Sequence, residues 1–164
     1  MKKLLLLIIF VISTFQVSIA QNIDSRIDSL SWRLEKLQYN YDYISCEYEL
    51  YKLNMQYNAL IQDIDISNNE IKIDLYHNEY KYNLYISYSA CYDSYVTLYD
   101  SLKKTYKEVK AFVTYKINTA KFSSKDIDLL NSYFDVIDTG ISTVELGLKS
   151  FEYNLQSYND QYIN

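Results

Sequence analysis

Residues 127–162 have the sequence IDLLNSYFDVIDTGISTVELGLKSFEYNLQSYNDQY, and this segment decides the fold of the chain. Alternate steps of three and four residues along it reach only apolar or aromatic side chains: Ile127, Leu130, Phe134, Ile137, Ile141, Val144, Leu148, Phe151, Leu155, Tyr158 and Tyr162. An unbroken repeat of this length is typical of a helix that packs along a coiled-coil seam. The segment therefore predicts a helix over about residues 124–162 that requires partner helices.

The N-terminal half of the chain carries a similar repeat, which predicts a helix over about residues 23–64. One seam again alternates steps of four and three residues: Ile23, Ile27, Leu30, Leu34, Leu37, Tyr41, Ile44, Tyr48, Tyr51 and Met55. A second apolar column repeats every seven residues on another face: Trp32, Tyr39, Cys46, Leu53 and Leu60. A helix with two apolar faces is expected to be contacted from two sides.

Two serine-based motifs predict where the remaining helices begin. Ser67 and Glu70 have the S-x-x-E spacing of a capping box, which places a turn at residues 65–70 and a second helix over about residues 68–117. Ser123 and Asp126 have the equivalent S-x-x-D spacing directly before the last helix. Alternating Tyr39, Tyr41 and Tyr43 favour a strand locally, but no hairpin turn accompanies them. The prediction is an all-α, elongated antiparallel three-helix bundle with coiled-coil-like packing over residues 21–164.

Gly140 and Gly147 lie seven residues apart, beside the seam of the last helix. A glycine inside a helix costs about 1 kcal/mol relative to alanine. Close approach of a neighbouring backbone would explain both glycines, and drift on a tolerant surface is the alternative.

The first twenty residues have the features of a cleaved secretory signal peptide. Lys2 and Lys3 precede an apolar run over residues 4–12, and Ser18 and Ala20 provide small residues before a cleavage site at Gln21. The apolar run is far shorter than the ~20 residues that span a bilayer, so no transmembrane segment is expected after cleavage. We expect an exported protein, either periplasmic or secreted.

The charge of the chain argues against nucleic acid as a partner. Without Lys2 and Lys3, the 16 basic residues become 14 against 21 acidic residues, a net charge of −7. A protein of this sign does not gain affinity by releasing counterions from phosphates.

Cys46 and Cys91 are the two cysteines, and the sequence predicts that they form a disulfide. The midpoint between them falls within the predicted turn at Ser67 and Glu70, which would place them at the same height in an antiparallel hairpin. An exported protein meets an oxidising environment, in which disulfides persist. The alternative is a pair of buried thiols that act as small hydrophobic groups.

Tyrosine is unusually abundant, with 20 residues, and the chain contains no proline. Packing along the seams would account for most of the tyrosines, since a phenol can bury its ring and keep its hydroxyl near the surface. The alternative is an aromatic binding face for a peptide or glycan, formed by six tyrosines of the second helix: Tyr76, Tyr80, Tyr88, Tyr92, Tyr95 and Tyr99.

Basic residues are concentrated before the last helix and predict a basic tip that begins with Lys103, Lys104, Lys107 and Lys110. Residues 103–125 contain seven lysines and one acidic residue, Glu108. Lysines near the C-terminus of a helix complement its dipole, which is the structural interpretation. Weak contact with an anionic envelope surface is the functional one.

No arrangement of residues indicates catalysis, a cofactor or a metal ion. His77 is the single histidine, and the phosphate-binding and nucleophile motifs of common enzymes are missing from the sequence. We therefore expect a non-catalytic protein that acts through protein–protein contacts or self-association, as an envelope spacer, an adaptor or a rod. The alternative is a periplasmic chaperone or ligand binder with a tyrosine-lined cleft between helices.

Overall fold

The computed structural model describes the backbone of residues 2–77 and 81–162 and the side chains of residues 21, 23–74 and 82–161. Three helices occupy these ranges: α1 spans Lys2–His77, α2 spans Lys81–Thr119 and α3 spans Ser124–Tyr162. The described residues contain no strand. The all-α class predicted from the sequence is confirmed.

The chain divides into two compact units, Met1–Asp42 and Tyr43–Asn164. Within its described residues, the first unit consists of the N-terminal part of α1. The second unit is the three-helix bundle, formed by the rest of α1 together with α2 and α3. The bundle therefore begins at Tyr43 rather than at residue 21.

Contacts between α1 and α3 show that these two helices run parallel in the bundle. A Cβ atom added at Gly140 would lie 3.5 Å from Cβ of Tyr57, and one added at Gly147 would lie 2.9 Å from Cγ2 of Ile64. Both pairs advance along the chain in the same direction. The two glycines therefore lie where α3 closely approaches α1, as one of the two interpretations of the sequence predicted.

α2 runs antiparallel to both of the other helices. Its Tyr99 and Tyr106 bond to Glu145 and Asp138 of α3, so residue numbers on the two helices change in opposite directions. The same holds against α1, where Ser67 bonds to Tyr95 and Asp74 bonds to Tyr88.

The α3 seam faces the core, as the sequence predicted. Ile127 and Ile141 are half-buried, Tyr162 lies outside the described side chains, and the other eight members are buried: Leu130, Phe134, Ile137, Val144, Leu148, Phe151, Leu155 and Tyr158. Opposite them, α1 buries a seam that also steps by four and three residues: Cys46, Leu50, Leu53, Tyr57, Leu60, Ile64, Ser67 and Ile71. Burying side chains of this size contributes about 1.5–3 kcal/mol each and is the main source of bundle stability.

The predicted turn at residues 65–70 is wrong, because α1 continues through it to His77. The first helix therefore ends at His77 instead of residue 64, and the second helix begins at Lys81 instead of residue 68. The second helix ends at Thr119 instead of residue 117. Ser67 and Asn68 are buried inside the bundle, where they bond to side chains of other helices. Polar residues of a buried layer resemble a turn in sequence, because both interrupt an apolar repeat.

The predicted Cys46–Cys91 disulfide is absent, and the shifted turn explains why. Cys46 is buried and Cys91 is exposed, and the two do not pair. Extending the register of the Ser67–Tyr95 contact places Cys46 opposite a position near Lys116, roughly 38 Å along α2 from Cys91 at 1.5 Å per residue. A disulfide requires Cα atoms about 4.4–6.8 Å apart.

The connection between α2 and α3 ends in the predicted cap at Ser123 and Asp126. The Asp126 backbone N–H donates to Ser123 Oγ at 3.2 Å, and Ser123 Oγ donates to the Asp126 carboxylate at 2.6 Å. Just before the cap, Lys121 has a left-handed backbone with φ of 53°. Phe122 turns inward and meets the Tyr43 ring edge-on at 6.0 Å. The predicted start of the last helix at about residue 124 agrees with this cap.

Candidate interaction surface

Among the described side chains, one set of heptad positions of α1 is apolar and exposed in each unit, and we call these residues the exposed α1 face. It consists of the ten members of the first predicted seam, six in the first unit and four in the second. Each is between 51% and 68% exposed: Ile23, Ile27, Leu30, Leu34, Leu37, Tyr41, Ile44, Tyr48, Tyr51 and Met55. The prediction that this seam packs within the bundle is therefore wrong.

The α1 side chains that do pack in the bundle come from other heptad positions. If Ile27 is assigned to position a of a heptad, all ten members of the exposed α1 face fall at a and d. All the buried side chains from Cys46 to Ile71 except Asn68 fall at c and f, on the opposite side of the helix. In the second unit, residues 44–55 thus carry one apolar face in the core and another in solvent.

The second apolar column of the sequence changes environment along α1. Trp32, in the first unit, is exposed, and the Lys36 ammonium lies 5.3 Å from the centre of its ring. Cys46, Leu53 and Leu60, in the second unit, are buried in the bundle. Only the part of this column that lies in the second unit contributes to the core.

Charged residues flank the exposed α1 face at the e and g heptad positions, where coiled coils select their partners. In the first unit these are Asp24 at e and Arg26 and Arg33 at g. In the second unit they are Glu47 at g and Lys52 at e. Lys52 also lies 3.9 Å from Glu49 on the same helix, a solvated pair of small energetic value.

The tyrosines proposed as an aromatic binding face contribute mainly to packing. Tyr76 and Tyr80 lie outside the described side chains. Phe151 is surrounded by three of the others, Tyr88, Tyr92 and Tyr95, with ring centres 5.9–6.5 Å apart. Tyr99 is buried farther along α2. These four rings therefore pack in the bundle and do not line an open cleft.

Three of the buried tyrosines donate their hydroxyl protons to carboxylates on other helices. Tyr88 bonds to Asp74 at 2.5 Å, and the Glu145 and Asp138 partners of α3 lie 2.6 and 2.7 Å from Tyr99 and Tyr106. Burial, reinforced by these bonds, raises the pKa of all three phenols well above its ordinary value. Protonated phenols are poor nucleophiles, and this arrangement serves to join α2 to its neighbours.

The basic residues at 103–110 do not form a tip. They lie in the interior of α2, more than two turns before its end at Thr119, so the helix dipole does not account for them. Lys103 lies 3.7 Å from the Glu145 carboxylate and 5.0 Å from the centre of the Tyr99 ring. Lys110 donates to Tyr106 at 3.2 Å, while Lys104 and Lys107 are exposed. Lys103 and Lys110 thus support the tyrosine–carboxylate pairs.

A buried polar layer was missed in the sequence. Asn154 of α3 donates to the side-chain oxygen of Asn68 at 2.9 Å, and Asn68 donates to the Gly147 carbonyl at 3.2 Å. Asn154 follows Phe151 by three residues and lies next to Leu155, so it was a detectable polar position beside the α3 seam. The burial of its partner Asn68 was not predicted, because residues 65–70 resemble a turn.

The described residues hold no cluster of histidine, cysteine or acidic side chains able to bind a metal ion. Among these same residues, no helix combines the length and apolarity that a membrane span requires. Comparison of the chain with protein-family models, with curated proteins and with solved structures finds no match.

Proposed function

We propose that this protein is an exported, non-catalytic protein that works through helical protein–protein contacts, as a spacer, an adaptor or a self-associating rod. The observation that supports the proposal is the exposed α1 face. A heptad seam of ten apolar residues is costly to leave in water, at about 25 cal/mol for each Å² of apolar surface. Exposed apolar surface of this extent marks interaction sites in folded proteins.

The alternative of a chaperone or ligand binder with a tyrosine-lined cleft has less support. It requires an aromatic surface that is open to a client, and the described tyrosines of that group pack on Phe151 or bond to carboxylates. A helical groove or seam binds its partner through apolar residues at a and d spacing, which is the pattern of the exposed α1 face.

The test is a pair of double variants that add the same charge to two faces of α1. Leu30→Glu with Leu37→Glu places two carboxylates in the exposed α1 face, and Ser25→Glu with Ser29→Glu places two on exposed positions outside it. We expect the first variant to lose association at least tenfold, by sedimentation and by mild cross-linking in the native envelope. The control should associate like the natural chain.

Circular dichroism should give the same helix content for both variants, because all four positions are exposed. Equal association of the two variants would contradict the proposal. The export component is tested separately by intact mass: a chain recovered from the envelope should begin at Gln21, and one that retains Met1 would count against cleavage.

A further inference from the structure

We propose that the buried tyrosines of α2 act as one-electron donors, and that Tyr88 with its bonded partner Asp74 holds the tyrosyl radical that results. The oxidant is a small outer-sphere one-electron oxidant, such as an oxidising metal complex, at the surface of the bundle. The site is independent of the proposed function, because it lies inside the second unit and uses no member of the exposed α1 face. Three features support it: proton acceptors at the phenols, burial of the rings, and the charges around them.

The first feature is a carboxylate at the hydroxyl of each of three phenols. Tyr88 donates to Asp74 at 2.5 Å. The corresponding distances from Tyr99 and Tyr106 to carboxylates of α3 are 2.6 and 2.7 Å. Short bonds of this kind are strong, because the acceptor is charged. A phenol that loses an electron becomes a strong acid, so its proton moves along the existing bond to the carboxylate.

Oxidation of Tyr88 breaks one bond and forms one bond. The phenolic O–H bond breaks, the proton binds to the Asp74 carboxylate, and the electron reduces the oxidant. The products are a neutral tyrosyl radical, a neutral carboxylic acid and the reduced oxidant. Neither product inside the bundle is charged, which favours the step at this site, since an unpaired charge is costly when it is buried.

The second feature is the burial of the rings. The three phenol rings are buried, so a radical on any of them is shielded from water and from coupling to the ring of another chain. The electron leaves through neighbouring rings, since Tyr88 meets Phe151 at 6.5 Å between ring centres. Two half-buried tyrosines, Tyr92 and Tyr95, contact the same phenylalanine at 5.9 and 6.1 Å and reach the surface of the bundle.

The third feature is the charge around each ring, which distinguishes the three phenols. The Lys103 ammonium lies 5.0 Å from the centre of the Tyr99 ring. The Lys110 ammonium lies 5.2 Å from the centre of the Tyr106 ring and 3.2 Å from its hydroxyl. A cation at this distance opposes the removal of an electron from a ring. Tyr99 and Tyr106 are therefore the poorer donors.

Tyr88 lies in a negative environment. Burial, the bond to Asp74 and the charges of Asp74 and Glu70 together raise the pKa of the Tyr88 phenol well above its ordinary value. The phenol therefore keeps its proton until the electron leaves, and the same negative charges favour that loss. Of the three bonded tyrosines, Tyr88 gives up an electron most easily, and a radical formed on another ring settles there.

The experiment oxidises the full chain, carrying Cys91→Ser, with hexachloroiridate(IV) at neutral pH and freezes samples at increasing times. Radicals on exposed tyrosines couple with one another and decay, so a long-lived electron paramagnetic resonance signal reports a buried radical. We expect Tyr88→Phe and Asp74→Asn each to lower that signal at least about tenfold, because one lacks the hydroxyl and the other lacks the proton acceptor. Tyr153→Phe and Asp65→Asn alter an exposed phenol and an exposed carboxylate, and these matched controls should keep the signal.

A spectroscopic signature separates a proton acceptor from a purely structural partner. The proton held by Asp74 stays hydrogen-bonded to the Tyr88 oxygen, so the radical should show a coupling to an exchangeable proton that disappears in D2O. Circular dichroism and urea midpoints report whether each variant folds. If Tyr88→Phe does not fold, Asp74→Asn and the exchangeable coupling in the natural chain decide the question.

Loss of the long-lived signal in Asp74→Asn, its retention in both controls and the exchangeable coupling together support the inference. Equal signals in Asp74→Asn and Asp65→Asn would overturn it, as would a natural chain in which no radical outlasts those of the exposed tyrosines. A long-lived signal that Tyr106→Phe removes and Tyr88→Phe retains overturns the assignment to Tyr88. None of these results bears on the proposed function, whose test measures association through the exposed α1 face.

Discussion

Two heptad seams of this protein have the same sequence pattern and opposite environments. The α3 seam is buried from Leu130 to Tyr158 except at the half-buried Ile141, whereas every member of the exposed α1 face, from Ile23 to Met55, is more than half exposed. Both alternate steps of three and four residues and both are fully apolar or aromatic. A heptad repeat therefore predicts that a helix needs a partner, but it does not identify the partner.

The difference between the two seams comes from what lies beside them. The α3 seam is flanked by Gly140 and Gly147, which let α1 approach closely, and by Asn154, which bonds to α1. The matching α1 side chains are those at c and f, among them Tyr57 and Ile64. Shape and hydrogen bonding thus select the c and f face for the bundle, and the equally apolar a and d face stays exposed.

The largest expected contrast between the two seams is in the response to the loss of a leucine side chain. Leu130→Ala, at a fully buried position of the α3 seam, should lower the free energy of unfolding by about 2–5 kcal/mol, because it leaves a cavity. Leu34→Ala, on the exposed α1 face, should change the free energy of unfolding of the dilute monomer by less than about 0.5 kcal/mol. Urea unfolding at low protein concentration measures both, and similar losses would contradict the assignment of the two faces.

The second contrast concerns the polar layer that accompanies only the buried seam. Asn154→Ala removes the donor to Asn68 inside the bundle and should destabilise it by about 1–3 kcal/mol, because the Asn68 oxygen loses its partner. Asn58→Ala is the control, since Asn58 is exposed and makes only a long contact of 3.5 Å to Asn54. Urea midpoints should separate the two variants, and equal midpoints would exclude a structural role for the layer.

The third contrast is between the two glycines of α3. Gly140→Ala should stabilise the bundle by up to about 1 kcal/mol, because alanine favours a helix and its Cβ fits at 3.5 Å from Tyr57. Gly147→Ala should instead destabilise it by about 1 kcal/mol, since its Cβ would meet Ile64, a buried and stiff β-branched side chain, at 2.9 Å. Thermal unfolding measures both. A stabilising Gly147→Ala would show that α1 and α3 leave room for a Cβ atom at residue 147.

The smallest expected effect comes from a tyrosine of the core. The buried hydroxyl of Tyr57 has no hydrogen-bond partner among the described residues, so Tyr57→Phe should raise stability by about 1 kcal/mol at neutral pH. Burial, with a smaller contribution from the charge of Asp138, raises the pKa of Tyr57 to about 12. The stability linked to this neutral phenol is present below its unfolded pKa near 10 and is lost as the pH rises from there to about 12.

Tyr57→Phe should therefore also reduce the loss of stability between pH 10 and 12, measured by urea unfolding at each pH. Tyr48→Phe, on the exposed α1 face, is the control and should follow the natural chain. Identical alkaline profiles for all three proteins would contradict the assigned burial of Tyr57.

Sequence reasoning found the α3 helix, its buried seam, its first turn and the presence of a second heptad seam on α1. It placed the first connection about ten residues too early, because Ser67, Asn68 and Glu70 have the residue types and spacing that are typical of a helix start. The Cys46–Cys91 disulfide followed from that turn and failed with it. The aromatic face was assigned from composition, which does not distinguish a phenol that packs on Phe151 from one that lines a cleft.

The sequence by itself determined the helical class and the apolar faces of each helix, because periodicity follows from the local geometry of a backbone with 3.6 residues per turn. Only the tertiary structure decided which face of α1 enters the bundle. That choice depends on whether side chains distant in sequence fit each other, as Ile64 fits against Gly147 and Asn68 bonds to Asn154. Such complementarity is a property of pairs of helices, and a single helical repeat does not contain it.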